Sequence, residues 1–296
     1  MAIVKNKRPI HYVVDVLKYL FLILFALVTL LPFLNLVAKG LSGESAVISG
    51  RVLFWPMNPT LKTYQYVLKG NSFFNAFKVS VFLTVFGSVA AVIVTSMTAY
   101  PLSRSNLRGR KGFLYLWVLI MLFNGGMVPN YILVKELGLL NSRWALVLPY
   151  ICNTWNMLIM RNFFYAIPDA LEEAAYLDGA NQFTILIRVI LPLSLPSIAT
   201  IAMFYAVSFW NAWFPGVMYL TDAKLVPVQN VMRTIIISAT AALEDMGVTI
   251  DDVQQAPTSH TLKCASIVVT TLPILCVYPF IQKYFVKGVM VGSIKG

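Results

Sequence analysis

An all-α polytopic membrane protein with six transmembrane helices is the fold class this sequence predicts, and three observations predict it. Of the 296 residues, 58% are hydrophobic and only 12% are charged, with a mean hydropathy of +0.74. A soluble domain carries about 25% charged residues. The apolar residues fall into six blocks, each reaching the ~17–25 helical residues that cross a ~30 Å hydrocarbon core. Polar, basic or Gly/Pro-punctuated connectors separate them. A chain in hydrocarbon must satisfy its own backbone polar groups, so such blocks form helices.

The net charge of +11 does not indicate a nucleic-acid partner. The bases are scattered between apolar blocks instead of gathered on one face, the pattern of a protein that sits in a lipid bilayer with basic cytoplasmic loops. Cys152, Cys264 and Cys276 lie in apolar runs without metal-ligand spacing, as buried free thiols do. His11 and His260 are far apart in sequence and setting, so neither a metal nor a catalytic group is expected. The chain lacks GxxxxGK[ST], so it does not hold ATP by a P-loop.

Residues 1–16 form a basic N-terminal segment with Lys5, Lys7, Arg8 and Asp15. The apolar block 17–38 that follows reads as a retained first span, since it is long enough to cross and no small-residue cleavage site is evident. A loop punctuated by Gly40, Gly43, Gly50, Pro56 and Pro59 leads to the second span, 74–102. The basic loop Arg104…Arg108-Gly109-Arg110-Lys111 stops it. The third span, 113–132, is interrupted by Asn124-Gly125-Gly126 and Pro129. Such breaks survive at membrane depth where protein or a water-lined cavity satisfies the freed backbone. The fourth span is 144–160, the fifth 191–219 and the sixth 262–284, with a tail at 285–296. The segment 220–261 before the last span is long and acidic, with Asp222, Glu244, Asp245, Asp251 and Asp252. Six spans put both termini on one side. Of the 23 bases, the larger share lies in the short flanks of that side, which makes it cytoplasmic.

The most polar place between two apolar spans is the loop 161–190 and its continuation, EAAYLDGANQFTILIRVILPLSLP from Glu173 to Pro196. Glu172, Glu173 and Asp178 make it acidic and Gly179 breaks it. Phe183, Ile185, Leu186 and Ile187 then lead into Leu191-Pro192. This reads as a short helix, a glycine turn, an amphipathic helix and a Pro-started apolar helix. The charge count places it in the aqueous phase on the cytoplasmic side, where a solvated helix start is the plain alternative to a docking surface. Within the spans, Asn124, Asn153, Asn156, Trp210, Asn211 and Trp213 are candidates for a substrate path, because membrane amides are costly unless paired and indoles stack on sugar rings. For Trp210 and Trp213, about 20 residues beyond Leu191 and so near the outer face, interfacial anchoring is the favoured reading.

These residues carry a family resemblance. Glu173-Ala174-Ala175, three residues, Gly179, nine residues, Val189, one residue, Leu191-Pro192 resembles the EAA loop of bacterial ATP-binding-cassette importer permeases, with Val189 at the usual isoleucine. Phe163-Phe164…Ile167-Pro168…Leu171-Glu172, Trp210-Asn211 with Phe214, and Gly288…Gly292-Ser293-Ile294-Lys295-Gly296 are similar to the carbohydrate-type, MalG-like branch. Gly125-Gly126-Met127-Val128-Pro129 with Leu137 to Trp144 looks most like the LplC/YtcP-type oligosaccharide permease subgroup. The resemblance implies a type I importer (MetI-like) fold with no catalytic, cofactor or metal site in this chain. ATP and Mg would be bound by a partner ATPase dimer. The other implied partners are a second homologous permease subunit (MalF/LplB-like), an extracellular or periplasmic solute-binding protein and a saccharide. The loop would dock on the ATPase through Glu172, Glu173, Ala174, Ala175, Asp178, Gly179, Phe183, Leu191 and Pro192. Glu173 would be the acidic partner of a basic groove residue, and the apolar face of 183–190 would bury against the ATPase. Gly288, Gly292, Lys295 and Gly296 would form a second ATPase contact. A self-sufficient secondary transporter is the competing class, but it needs ionisable midplane residues and repeated halves. Only Lys78 lies near a span start, and no repeat is found. A membrane scaffold without substrate is the other alternative.

Overall fold

A computed structural model describes residues 9–68, 71–123, 125–245 and 259–293. Their regular structure is helical, with no strand among them. They fall into two compact units, one within 1–69 and 234–269 and the other within 70–233 and 270–296.

In the first unit α1 (Pro9–Gly40) begins well before the expected span, because Val13, Val14 and Val16 extend its apolar run. From Val14 to Gly40 it is long and apolar enough to cross a membrane, and nothing else described in the chain buries its most apolar stretch. Its end is tied down. Asn35 Nδ2 donates to the Leu53 carbonyl at 2.5 Å. Ser42 Oγ donates back to the Ala38 carbonyl at 2.6 Å and accepts from the Met57 amide at 3.0 Å. Ala38 forms a small core with Ala46 and Val47 of α2 (Glu44–Ile48) and with Val52. α3 (Lys62–Leu68) follows.

In the second unit α4 (Asn71–Phe82), a π-turn (Leu83–Gly87) and α5 (Ser88–Ser103) make one long helical run, crossing-competent over Phe73–Ser103. α6 (Arg110–Leu122) and α7 (Met127–Glu136) are separated at the predicted break, where Gly126 takes φ +87°. Asn124 lies outside the described residues.

The expected fourth span is not one helix. Residues 143–150 form two 3₁₀ turns, and α8 runs Thr154–Tyr165. Ser142 and Asn153 each cap a fresh start, accepting from the amides of Trp144 and Asn156, and Pro149 lacks the amide that would carry a helix through. α8 also takes Arg161–Tyr165 out of the expected loop. α9 is Ala170–Leu177. α10 (Gln182–Ile185) continues through a π-turn (Leu186–Ile190) into α11 (Leu191–Leu193). α12 (Leu195–Trp210) leaves this run at 87°. The fifth apolar helix thus starts at Leu195-Pro196, not at Leu191. It stops at Asn211, and α13 (Trp213–Tyr219) follows. α14 (Val228–Asp245) and α15 (Ser259–Ser293) complete the described chain. Residues 285–293 of the expected tail therefore continue a helix. Among the described residues three helices are long and apolar enough to cross a membrane, or up to five if each bent pair counts as one span.

The core of the second unit lies where α5, α8 and α12 meet. Ala91, Ala99, Met157, Met160, Phe164, Ile201 and Phe209 are buried together there. A polar seam runs through it. The Tyr205 hydroxyl pairs with Thr95 Oγ1 at 2.7 Å and accepts from the Asn153 amide at 2.9 Å. A second core gathers Val79, Leu83, Val134, Leu146 and Tyr219.

Candidate functional site at the glycine-bent loop

The acidic loop folds as its sequence pattern indicates. α9 begins at Asp169 and carries Glu172 and Glu173 in its first turn, where the exposed amides favour negative charge. It ends in a Schellman motif. The Gly179 amide donates to the Tyr176 carbonyl and the Ala180 amide to the Ala175 carbonyl, each at 2.9 Å. Gly179 sits at φ +80° with nothing within 4 Å of a Cβ built there, so backbone conformation, not space, selects glycine. Asn181 then caps α10, its Oδ1 accepting from the Thr184 amide at 2.8 Å.

The two neighbouring glutamates have opposite surroundings. Glu173 is exposed, whereas Glu172 is buried. Arg104, buried to the same degree at the end of α5, places Nη2 2.7 Å from Glu172 Oε1. Its Nη1 lies 3.3 Å from Asp169 Oδ1, its Nη2 donates to the Phe164 carbonyl at 3.4 Å, and its guanidinium covers the Tyr100 ring at 5.2 Å. The Tyr100 hydroxyl donates to Gln182 Oε1 at 3.0 Å and lies in hydrogen-bonding reach of Glu172. Gln182 Nε2 donates in turn to the Tyr176 hydroxyl. Burial lifts the Glu172 carboxyl above the usual range, and Arg104 and Tyr100 pull it back. Sequence reasoning missed Arg104, Tyr100, Asp169 and Gln182. The only sequence signal was a basic residue directly after a span, which topology rules read as orientation.

The apolar face of 183–190 does not point away from the chain as expected. Ile185, Leu186 and Ile190 are buried in this chain's own core with Met160, Phe164 and Ile201. Phe183 and Ile187 remain exposed, as do Ala174, Asp178 and Leu177, the last 89% accessible. The loop thus presents a mixed acidic and apolar surface on a base welded to the helices. Pro192 is exposed and Leu191 half-buried. Among the described residues no cluster of His, Cys, Asp or Glu is arranged to hold a metal ion.

Residues 107–291 match the family model described as binding-protein-dependent transport system inner membrane component. This chain belongs to that family. The permease is 43% identical to the polygalacturonan/rhamnogalacturonan transport system permease protein YtcP of Bacillus subtilis (strain 168), over 95% of this chain and 98% of that one. It is 42% identical to protein LplC of the same strain, over 96% and 95%. Its fold is similar to that of a chain in the crystal structure of a bacterial ABC transporter involved in the import of the acidic polysaccharide alginate. That match has a TM-score of 0.83 and 32% identity over 95% of this chain and 99% of that one.

The permease does not gather the remaining candidates into one site. Asn153 is engaged as the cap of α8, and Asn156 is buried beside it. Trp210 is no interfacial anchor. It is buried, its Nε1 donates to the Thr270 carbonyl at 3.1 Å, and Phe77 meets it edge-on. Asn211 Nδ2 closes the end of α12 on the Val207 carbonyl at 3.0 Å. Trp213 is exposed, with Arg233 over its ring at 5.2 Å. Gly288 and Gly292 fall in α15, while Lys295 and Gly296 lie outside the described residues.

Proposed function

We propose that this permease is one of two homologous membrane subunits of an ABC importer for an oligosaccharide, with six spans and both termini in the bacterial cytoplasm. A solute-binding protein delivers the cargo on the outer side, and the acidic segment 220–261 is its contact. ATP and Mg are bound by a partner ATPase dimer, so this chain carries no catalytic group. The observation that carries the reading is the glycine-bent loop: a Schellman-hinged helix pair, fixed to the membrane helices through its buried side chains, leaves Glu173, Asp178, Leu177, Phe183 and Ile187 exposed. An exposed acid amid apolar side chains suits a partner groove with a basic residue and an apolar floor. Gly288, Gly292, Lys295 and Gly296 form the second contact with that partner. The name of YtcP and the description of the alginate importer point to acidic polysaccharides, so oligosaccharides of uronic acids are the cargo class to test first.

The decisive experiment co-purifies the importer after Glu173→Lys. The spans still insert, because the residue is aqueous, but the ATPase dissociates and binding-protein-stimulated hydrolysis is lost. Normal stimulation in this variant would falsify the docking role.

A further inference from the structure

We infer that Arg104 and Tyr100 are positioning residues that clamp both arms of the glycine-bent loop to the last turn of α5, so that loop and membrane helix move together. The inference rests on the docking reading above. Its own observations concern the polar contacts between the loop and α5.

Gly179 on its own is a hinge. It takes φ +80° and has no neighbour within Cβ reach, and the side chains that pack against the core directly beside it are the small Ala175 and Ala180. A pull on α9 could then be absorbed by rotation at the glycine. Side chains prevent this from one place. Tyr100 and Arg104 are four residues apart, hence on one face of α5's end. Arg104 reaches the arm before the bend through Glu172 at 2.7 Å, and Tyr100 reaches the arm after it through Gln182 at 3.0 Å. The Gln182–Tyr176 bond closes the frame across the bend itself. The Phe164 carbonyl, accepting from Arg104, adds the end of α8 to the same clamp.

An ion pair suits this role better than an apolar contact. The close charge contact with Glu172 and the hydrogen bond from Arg104 to Asp169 at 3.3 Å together define one register of α9 on α5, whereas greasy surfaces slide. The sequence separates the two jobs by one residue: Glu172 faces the permease and Glu173 faces outward.

The test uses the assembled importer, with its ATPase and partner permease, carrying spin labels at Leu177 on α9 and Val89 on α5 after replacement of the native cysteines. Distances are measured without nucleotide and with MgATP plus vanadate. In the otherwise native protein the distance stays constant between the two states. In Glu172→Gln with Tyr100→Phe it shifts by more than about 2 Å, beyond the scale of ordinary helix adjustments at such interfaces. Glu172→Arg broadens the distribution, and adding Arg104→Glu narrows it again. Unchanged distances in the Gln/Phe variant, or no recovery in the charge swap, would overturn the clamp. Loss of the ATPase on Glu172→Gln alone would also overturn it, by making Glu172 a docking contact. Retention of the ATPase by Glu173→Lys would instead overturn the docking reading and leave the clamp to be judged on the distances.

Discussion

Removing either end of the Arg104–Glu172 pair should have very unequal consequences for stability. In Arg104→Met, Glu172 stays buried and loses its cation, while Asp169 contributes a second negative charge nearby. Leaving one buried partner unpaired costs about 3–5 kcal/mol, or roughly 6–20 °C in melting temperature for a chain somewhat smaller than this one. In Glu172→Gln, Arg104 keeps Asp169 at 3.3 Å, the Phe164 carbonyl at 3.4 Å and the Tyr100 face at 5.2 Å. Its loss should stay within about 2 kcal/mol, toward the low end for a polar contact to a charged group, because these three partners remain. The pH dependence separates the two further. Burial already raises the Glu172 carboxyl, so the folded state binds its proton more tightly than the unfolded chain. That contribution to stability is fully present below the unfolded value of about 4.3 and declines as pH rises through the higher folded value. Removing Arg104 lifts the folded value further, so the deficit of Arg104→Met should shrink when pH falls from about 7.5 toward 5, as the stranded carboxylate takes up its proton. Thermal unfolding in detergent at the two pH values reads both effects. Equal destabilisation by the two variants, or a deficit in Arg104→Met that does not shrink in acid, would refute the reasoning.

Gly179→Ala meets no steric obstacle but must hold φ +80°; a loss of about 1–2 kcal/mol in unfolding measurements is expected. Gly87→Ala places a methyl 3.0–3.1 Å from the Phe209 ring. It should lower stability by about 1–3 kcal/mol, and a second change, Phe209→Leu, should recover part of that in the same assay. Trp210→Phe removes the bond to the Thr270 carbonyl and should cost about 1 kcal/mol without abolishing insertion, measured by thermal unfolding of the purified chain.

Much of the loop was readable in advance because its features are local. Gly179 needs left-handed backbone, Asn181 is a cap, and acids favour a helix start, all within a few residues of sequence. The apolar blocks were equally plain, since composition alone excludes a soluble chain. Breaks were harder to read. Hydropathy smooths over Pro149 and Asn153, so 144–160 reads as one span although caps divide it. It also does not register that Ser194 turns the chain by 87°. The apolar face of 183–190 was recognised, but periodicity reports that a face is buried without saying against what. Trp210 illustrates the same limit: an indole near a span end suits an anchor, and only the approach of Thr270, 60 residues away, makes it an interior bond.

The sequence by itself determined the membrane character, the helical class, the glycine-bent acidic loop and the resemblance that the family match then bore out. Each is a property of composition or of near neighbours. Only the tertiary structure decided that two adjacent glutamates look in opposite directions. Glu172 pairs with an arginine 68 positions earlier, a contact made when α5 and α9 meet in space. Helix periodicity turns successive side chains by about 100°, so neighbours in sequence need not share a surface. Which of the two points inward depends on what the other helix brings to it.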